Sequence, residues 1–324
     1  MIIERYKAPV KDLWQGRKDG PESSRFHEVI HCIDLQKEQI VTDALLSFAF
    51  VGFACDAGII RNQGRPGAAL GPSEFRKVIA KMPIPINKSC TFWDVGDIIC
   101  SDGNLEASQQ VLAQVVADLL NQGVHPIVIG GGHEVAWGHY QGITKAYPNL
   151  DCAIVNIDAH LDLRPLIEGN MGSSGTSFMQ IAEDRLSKNL KFDYTCIGLQ
   201  TQATTQSLLQ QAKKLNVRII SAEEIHRNGI ENTLKVLDQV INSHEAIYLT
   251  ICLDVFAAPF APGVSAPQPL GLLPWHVIPI IKYLAASGKL ISLDIAELSP
   301  PLDQNNITTT LAASLVSASL NSFP

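Results

Sequence analysis

The sequence feature that most constrains this chain is a short apolar run that ends in three acidic or imidazole side chains. Residues 152–157 are rich in β-branched side chains, which is typical of a buried strand. Asp158, His160 and Asp162 follow at alternate positions. Burying these groups without partners would cost roughly several kcal/mol for each charge. The pattern therefore predicts a strand that ends at a site, with a pair of divalent metal ions as the favoured source of positive charge.

Apolar runs alternate with amphipathic segments along most of the chain. Buried strands are predicted at residues 45–53, 92–100, 125–130, 152–158, 192–200, 217–221, 246–254 and 289–297. Strands that alternate with helices form a mostly parallel sheet covered on both faces, so we predict one α/β domain over residues 1–324. Residues 1–43 are mixed and polar, and we predict that they form an N-terminal arm with short helices.

Composition and charge exclude several classes of protein. The net charge of −7 and the lack of a basic cluster argue against nucleic-acid binding. The sequence has no apolar stretch of 18 residues and no apolar N-terminal segment, so we expect neither a transmembrane helix nor a signal peptide. Seven cysteines are scattered without CxxC spacing, which is typical of free thiols in a reducing compartment. We therefore predict a cytoplasmic protein without a membrane partner.

Four of the predicted strands end in groups that can bind metals or cations. In a parallel sheet the carboxyl ends of the strands lie along one edge, where ligands bind. The candidate residues at this edge are His133, Asp158, His160, Asp162, Cys252, Asp254 and Glu297. Oxygen and imidazole ligands suit Mn²⁺, Mg²⁺ or Zn²⁺, and a thiolate favours softer ions. The alternative structural roles are a helix cap for His133, an N-cap for Asp254 and a surface acid for Glu297.

Four ordered motifs resemble those of the arginase/agmatinase (ureohydrolase) family. They are GGGHE at 130–134, NIDAHLDLR at 156–164, the segment 250–271 and SLDIAE at 292–297. The resemblance implies a three-layer α/β/α fold with a mainly parallel sheet of about eight strands. It also implies a metal-dependent hydrolase that uses two Mn²⁺ ions to cleave C–N bonds of guanidino or amidino groups in a small-molecule substrate. Because family members are often oligomers, a homo-oligomer is one expected form of the chain.

The resemblance also assigns roles to individual residues. The metal ligands would be His133, Asp158, His160, Asp162, Cys252 and Asp254. Two acids would be catalytic, with Asp162 holding or shuttling a proton and Glu297 contacting the cationic amidinium of the substrate. Cys252 departs from the family pattern because it occupies the position of an aspartate ligand. This softer ligand leaves open which metal is bound and whether one or two ions are held.

Several loops resemble those of family members that hydrolyse N-formimidoyl-L-glutamate to L-glutamate and formamide in histidine degradation. These loops are 64–72, 162–165, 172–178 and 261–267. By this resemblance a metal-bridging hydroxide attacks the amidinium carbon.

The expected substrate-binding residues are Arg164, Asn62 and Ser174. The Arg164 guanidinium can bind a carboxylate through two hydrogen bonds, and Arg61 and Arg65 are weaker candidates for that role. Ser174 stands where arginases have a histidine, which argues against an arginine-type substrate. The alternatives are another ureohydrolase, such as an agmatinase or a guanidino-acid hydrolase, and a metal-poor member without catalytic activity, which Cys252 would favour.

Overall fold

Ten strands form one sheet in the computed structural model, which describes residues 2–20, 24–84 and 90–324. The strands are β1 (Tyr6–Lys7), β2 (His31–Cys32), β3 (Leu46–Ala54), β4 (Cys90–Ile99), β5 (His125–Ile129), β6 (Cys152–Ile157), β7 (Tyr194–Leu199), β8 (Arg218–Ser221), β9 (Ala246–Cys252) and β10 (Leu290–Ala296). Their order in the sheet is β1-β4-β3-β5-β10-β9-β6-β7-β8, and β2 also pairs with β4. The pair β1–β4 is antiparallel and the other pairs are parallel.

Helices cover both faces of the sheet. They are α1 (Ile2–Arg5), α2 (Phe26–Val29), α3 (Ala57–Arg61), α4 (Gly71–Ile79), α5 (Leu105–Asn121), α6 (Val135–Ala146), α7 (Ser177–Ser187), α8 (Gln206–Lys214), α9 (Ala222–Asn228), α10 (Glu231–Ser243), α11 (Pro274–Ala286) and α12 (Ile307–Leu320). Apolar side chains of α4 and α9–α12 fill the core on one face, and those of α5–α8 fill the core on the other. The three-layer α/β/α prediction is therefore confirmed. In the described part of the chain, none of the helices is long and apolar enough to cross a membrane.

The N-terminal arm contributes two short strands to the edge of the sheet. Strands β1 and β2 have two residues each and pair with β4. The other eight strands are the predicted ones. A two-residue strand has no periodicity of its own, so the sequence could not indicate that the arm extends the sheet. Residue 1 and residues 21–23 of the predicted arm lie outside the described residues.

Four adjacent central strands carry the candidate site. They lie side by side in the order β5, β10, β9 and β6. The register pairs Asp294 of β10 with both Val128 of β5 and Thr250 of β9, and Thr250 with Asn156 of β6. Since all four strands are parallel and in nearly the same register, their carboxyl ends lie side by side at one edge of the sheet. The residues just beyond them must therefore lie close together.

A buried ion pair fixes α4 against β4. The Arg76 guanidinium donates from Nε and Nη2 to the two oxygens of Asp94, both at 2.9 Å, and Asp94 is fully buried. Arg76→Met would leave that carboxylate without its counter-ion, so we expect the free energy of unfolding to fall by about 3–5 kcal/mol. Urea denaturation measures this change, with Lys77→Met, an exposed position on the same helix, as control. A fall no larger than that of the control would contradict the prediction.

Candidate metal centre

A turn of three glycines brings His133 to the end of β5. Gly130 and Gly131 have positive φ angles of 100° and 70°, and a Cβ at either would lie 2.7 Å from the side chain of Pro72 or Phe53. Only glycine fits such a backbone in such a space. The turn directs His133 inward, where it is 1% exposed. The helix-cap alternative is therefore not needed to explain this residue.

The loop after β6 places Asp158 and Asp162 against the His133 ring. The Nδ1 atom of His133 lies 2.9 Å from Asp158 Oδ2 and 2.9 Å from Asp162 Oδ2. Asp158 is fully buried, and its two oxygens accept the His160 backbone N–H at 2.7 Å and the Asn156 side-chain amide at 3.0 Å. Asp162 has a positive φ of 45°, a strained conformation for a non-glycine residue. The loop thus holds both carboxylates at a fixed place beside the ring.

The candidate ligands form two groups that share Asp158. Ligand atoms of His133, Asp158 and Cys252 lie within 4.8 Å of one another, and so do those of Asp158, His160 and Asp254. The His160 Nδ1 atom lies 3.1 Å from Asp254 Oδ2. Two groups with one carboxylate in common are what two neighbouring metal ions with a bridging ligand require.

The residues present fit a pair of divalent cations. The buried atom Asp254 Oδ1 has no hydrogen-bond partner among the described residues and is available as a ligand. His133 Nδ1 lies against two carboxylates, so a cation there would take the place of a ring proton. Burial alone would lower the pKa of His160, but the carboxylates of Asp254 and Asp158 outweigh it and raise the pKa to about 12. The acidic cluster thus requires positive charge, which divalent ions supply. A carboxylate and imidazole donor set suits Mn²⁺, Mg²⁺ or Zn²⁺.

Cys252 lies at the end of β9, within the first of the two groups. Its side chain is buried, with 2% of its surface exposed. Burial and the nearby charges of Asp158 and Asp254 raise the pKa of the Cys252 thiol well above its ordinary value. Without a bound cation this residue is therefore a neutral thiol where the family pattern has an aspartate.

Glu297 lies just beyond β10, and one oxygen of its carboxylate has no hydrogen-bond partner among the described residues. Its φ is 68°, and its backbone N–H donates to Gly131 O at 2.9 Å. Oε1 accepts the His133 backbone N–H at 3.2 Å, whereas buried Oε2 has no partner in the described chain. Burial, with the neighbouring carboxylates of Asp254 and Glu134, raises the pKa of Glu297 well above its ordinary value. This geometry suits a carboxylate that receives a cation from outside the protein.

A cavity of about 370 Å³ opens above the ligand groups, and its rim holds the predicted substrate-binding residues. The Asn62 amide donates to Ser174 Oγ at 3.1 Å. The Arg164 side chain packs beside Gly175, where an added Cβ would lie 2.9 Å from Arg164 Cδ and 3.2 Å from Asn62 Nδ2. Arg164, Asn62 and Ser174 are therefore neighbours on one wall of the cavity, and the exposed Arg164 guanidinium has no ion-pair partner among the described residues.

The structure separates Arg65 from Arg61. Arg65 lines the cavity, and its guanidinium donates to the carbonyls of Ser265 and Val264 at 2.9 and 2.8 Å. Arg61 instead forms an ion pair with Glu106, with Nη1 and Oε1 2.5 Å apart. Its guanidinium is therefore engaged outside the cavity, and of the two only Arg65 remains a candidate for contact with a ligand.

Sequence analysis missed two sets of buried polar residues around this site. Glu134 is fully buried, and its Oε1 accepts the Gly58 backbone N–H at 3.1 Å, which ties the segment before Asn62 to the glycine turn. Thr250 and Asp294 are also fully buried, behind His133. The available signal was polar residues at alternate positions in otherwise apolar strands.

The fold and the site define the class: a three-layer α/β/α protein with a candidate binuclear metal centre at the carboxyl edge of its sheet. The sequence profile of the Arginase family matches residues 46–321, and the chain therefore belongs to that family.

Two relatives and two solved structures that are similar to this chain carry the name formimidoylglutamase or formiminoglutamase. Formimidoylglutamase of Legionella pneumophila (strain Lens) is 47% identical over 319 residues, which is 98% of each chain. Formimidoylglutamase of Clostridium tetani is 41% identical over 98% of this chain and 96% of its own. Among solved structures, Bacillus subtilis formimidoylglutamase has a TM-score of 0.80 at 22% identity, covering 94% of both chains. Trypanosoma cruzi formiminoglutamase with Mn²⁺ has a TM-score of 0.78 at 23% identity, covering 86% of this chain and 95% of its own. At these identities the structures support the fold alone.

Proposed function

We propose that this protein hydrolyses N-formimidoyl-L-glutamate to L-glutamate and formamide with the help of two Mn²⁺ ions. The observation that carries the proposal is the pair of ligand groups sharing Asp158 beneath a cavity whose rim holds two arginines. The substrate has one amidinium and two carboxylates, so a buried acid and two guanidinium groups complement its charges. The names of the curated relatives support the same substrate.

Two sets of residues would hold the ions. His133, Asp158, Asp162 and Cys252 surround one position, and Asp158, His160 and Asp254 surround the other. When bound, such a pair lowers the pKa of water and so supplies a strong nucleophile near neutral pH. Cys252 is a softer ligand than a carboxylate and so favours softer ions than Mn²⁺. Metal analysis of the purified protein therefore tests the preference for Mn²⁺.

The chain's own residues orient the substrate and move its proton. Glu297 lines the cavity, and its Oε2 has no hydrogen-bond partner in the described part of the chain, so it would accept a hydrogen bond from the amidinium and stabilise its charge. Hydrolysis adds the oxygen of water to the amidine carbon and breaks the bond from that carbon to the glutamate nitrogen. That nitrogen leaves as an amine with one added proton. Asp162, which lines the cavity, would carry this proton at its carboxylate.

Arg164 and Arg65 would bind the two carboxylates of the substrate. Arg164→Ala removes a charge-assisted pair that forms equally in the bound substrate and in the transition state, so we expect KM to rise roughly 10–100-fold with kcat nearly unchanged. Steady-state kinetics measure both constants. The matched control is Arg227→Ala, which removes an exposed arginine outside the cavity. A drop in kcat with unchanged KM would contradict the assigned role.

The deciding experiment measures release of formamide and glutamate from N-formimidoyl-L-glutamate. Metal-free protein and Mn²⁺-loaded protein are compared, with agmatine and guanidinobutyrate as alternative substrates. Turnover that appears with Mn²⁺ and disappears with a chelator supports both substrate and metal. Preferential turnover of agmatine or guanidinobutyrate would overturn the substrate and keep the class of reaction. An empty site without turnover would favour a non-catalytic family member.

Cys252→Asp tests whether the thiol weakens the metal site. A carboxylate is a harder ligand than a thiol, and its pKa is lower, so it binds Mn²⁺ without first losing a proton near neutral pH. We expect the variant to bind Mn²⁺ about tenfold more tightly or better. Competition against a chelator measures the affinity, and Cys152→Ala, which removes a buried thiol at the start of β6 outside both ligand groups, is the control. Equal or weaker Mn²⁺ binding would show that Cys252 is a competent ligand as it stands.

A further inference from the structure

A block of buried polar side chains lies behind the candidate metal centre. Tyr248 and Thr250 are on β9, and the register pairs them with Ser292 and Asp294 on β10. Alternate residues of a strand point to the same face, so these four side chains share one face of the sheet. Each of them is at most 2% exposed. A polar block of this size in the sheet interior needs internal partners, and those partners lead to the metal centre.

One hydroxyl connects His133 to Asp294. Thr250 Oγ1 lies 2.8 Å from His133 Nε2 and 2.5 Å from Asp294 Oδ1. A hydroxyl has a single proton, and a carboxylate oxygen can only accept it. Thr250 therefore donates to Asp294 and accepts from Nε2–H of His133. When a cation takes the place of the proton between Nδ1 and the Asp158 and Asp162 carboxylates, the ring keeps its proton on Nε2 and Nδ1 offers its lone pair.

The other oxygen of Asp294 lies against Tyr248 and His139. His139 Nδ1 lies 2.7 Å from Asp294 Oδ2, and the Tyr248 hydroxyl donates to the same oxygen. Burial and the Asp294 charge raise the pKa of Tyr248 well above its ordinary value, so this hydroxyl keeps its proton. The Oδ2 position therefore requires an acceptor, which fixes the orientation of the whole carboxylate.

We propose that Asp294 is a positioning residue that acts through Thr250 to hold His133 in the tautomer with an unprotonated Nδ1. The inference rests on the proposed function, because it takes His133 to be a metal ligand. Histidine ligands commonly hold their second ring N–H against an acceptor, and losing that acceptor costs about 10–100-fold in metal affinity. Here the acceptor is a threonine hydroxyl whose direction is imposed by a buried carboxylate.

Asp294→Asn would reverse the direction of this chain of hydrogen bonds. An asparagine side chain has one acceptor oxygen and one NH₂ group. Because the Tyr248 hydroxyl donates at the Oδ2 position, the amide oxygen belongs there and the NH₂ group faces Thr250. The Thr250 hydroxyl then accepts from the amide and donates to His133 Nε2, which moves the ring proton to Nδ1. We expect Mn²⁺ to bind about 100-fold more weakly than to the parent protein.

Two substitutions at Thr250 separate this role from a structural one. Thr250→Val removes the hydroxyl without reversing the chain, so we expect Mn²⁺ affinity to fall about tenfold. Thr250→Ser keeps the hydroxyl, and we expect an affinity within about threefold of the parent. Affinities come from competition against a chelator, and thermal unfolding of the metal-free proteins controls for folding. A purely structural role would make affinity follow thermal stability rather than the presence and direction of the hydroxyl.

Nuclear magnetic resonance gives a second readout that does not depend on activity. In protein labelled with ¹⁵N-histidine and loaded with diamagnetic Zn²⁺, the proton of the His133 ring is expected on Nε2. A proton on Nδ1 would overturn the inference. Unchanged Mn²⁺ affinity in folded Asp294→Asn and Thr250→Val would overturn it too, while leaving the proposed function in place. A parent protein that binds no Mn²⁺ would overturn both. If Asp294→Asn does not fold, the comparison of Thr250→Val with Thr250→Ser decides.

Discussion

Asp158→Asn is expected to lose bound metal and catalytic activity together. Asp158 is the one residue common to both ligand groups, and it is fully buried. An asparagine has the same shape but no charge, so the cations would lose their shared anionic ligand. Metal ions contribute several kcal/mol to stabilising a hydrolytic transition state, so we expect kcat/KM to fall by roughly 10³-fold or more.

Metal analysis and kinetics on the same Asp158→Asn preparation test this expectation. Asp118→Asn, an exposed position on α5, is the matched control and should retain both metal and activity. If Asp158→Asn retained two ions per chain, the proposed ligand assignment would be wrong. If it lost the ions and kept its activity, catalysis would not depend on this centre.

Glu297→Gln is expected to lose activity while keeping its metal. Glu297 belongs to neither ligand group, it lines the cavity, and its Oε2 has no hydrogen-bond partner among the residues that the structure describes. Glutamine can still accept the His133 backbone N–H, but it cannot neutralise an amidinium. Removing one partner of a buried charge pair costs about 2–5 kcal/mol, which corresponds to a loss of roughly 30- to 5,000-fold in kcat/KM.

The contrast between the two substitutions separates substrate binding from metal binding. Asp158→Asn should lower both metal content and kcat/KM, whereas Glu297→Gln should lower only kcat/KM. Glu297→Gln should lower kcat/KM less for a neutral amidine analogue than for the cationic substrate. Full activity of Glu297→Gln would show that the amidinium is bound elsewhere.

Much of the fold could be predicted from the sequence because the strands are long apolar runs. The predicted bounds of all eight longer strands fall within two residues of the observed ones. The order of the strands could not be predicted, because hydrophobic periodicity shows that a strand is buried but not which strand lies beside it. The helix α3 (Ala57–Arg61) was also missed, since five residues beside a glycine- and proline-rich loop carry too little periodicity.

The site was more predictable at the strand ends than behind them. His133, Asp158, Asp162 and Glu297 follow apolar runs directly, so their convergence follows from a parallel sheet. Asp294 gave no such signal, because a single acid inside an apolar strand does not indicate which partners satisfy it. Arg61 and Arg65 looked alike in the sequence, but Arg61 pairs with Glu106 whereas Arg65 lines the cavity.

The sheet order also determines when the centre can assemble during folding. β10 comes last of the ten strands along the chain, yet it lies between β5 and β9. His133 and Glu297, which are joined by a hydrogen bond, are 164 residues apart in sequence. Until β10 is inserted into the sheet, the glycine turn after β5 cannot lie beside the ligands that follow β9 and β6. Contacts of such sequence separation form late and slowly. Metal uptake would thus mark the completion of folding, and an ion bound only by the native chain would stabilise it by mass action.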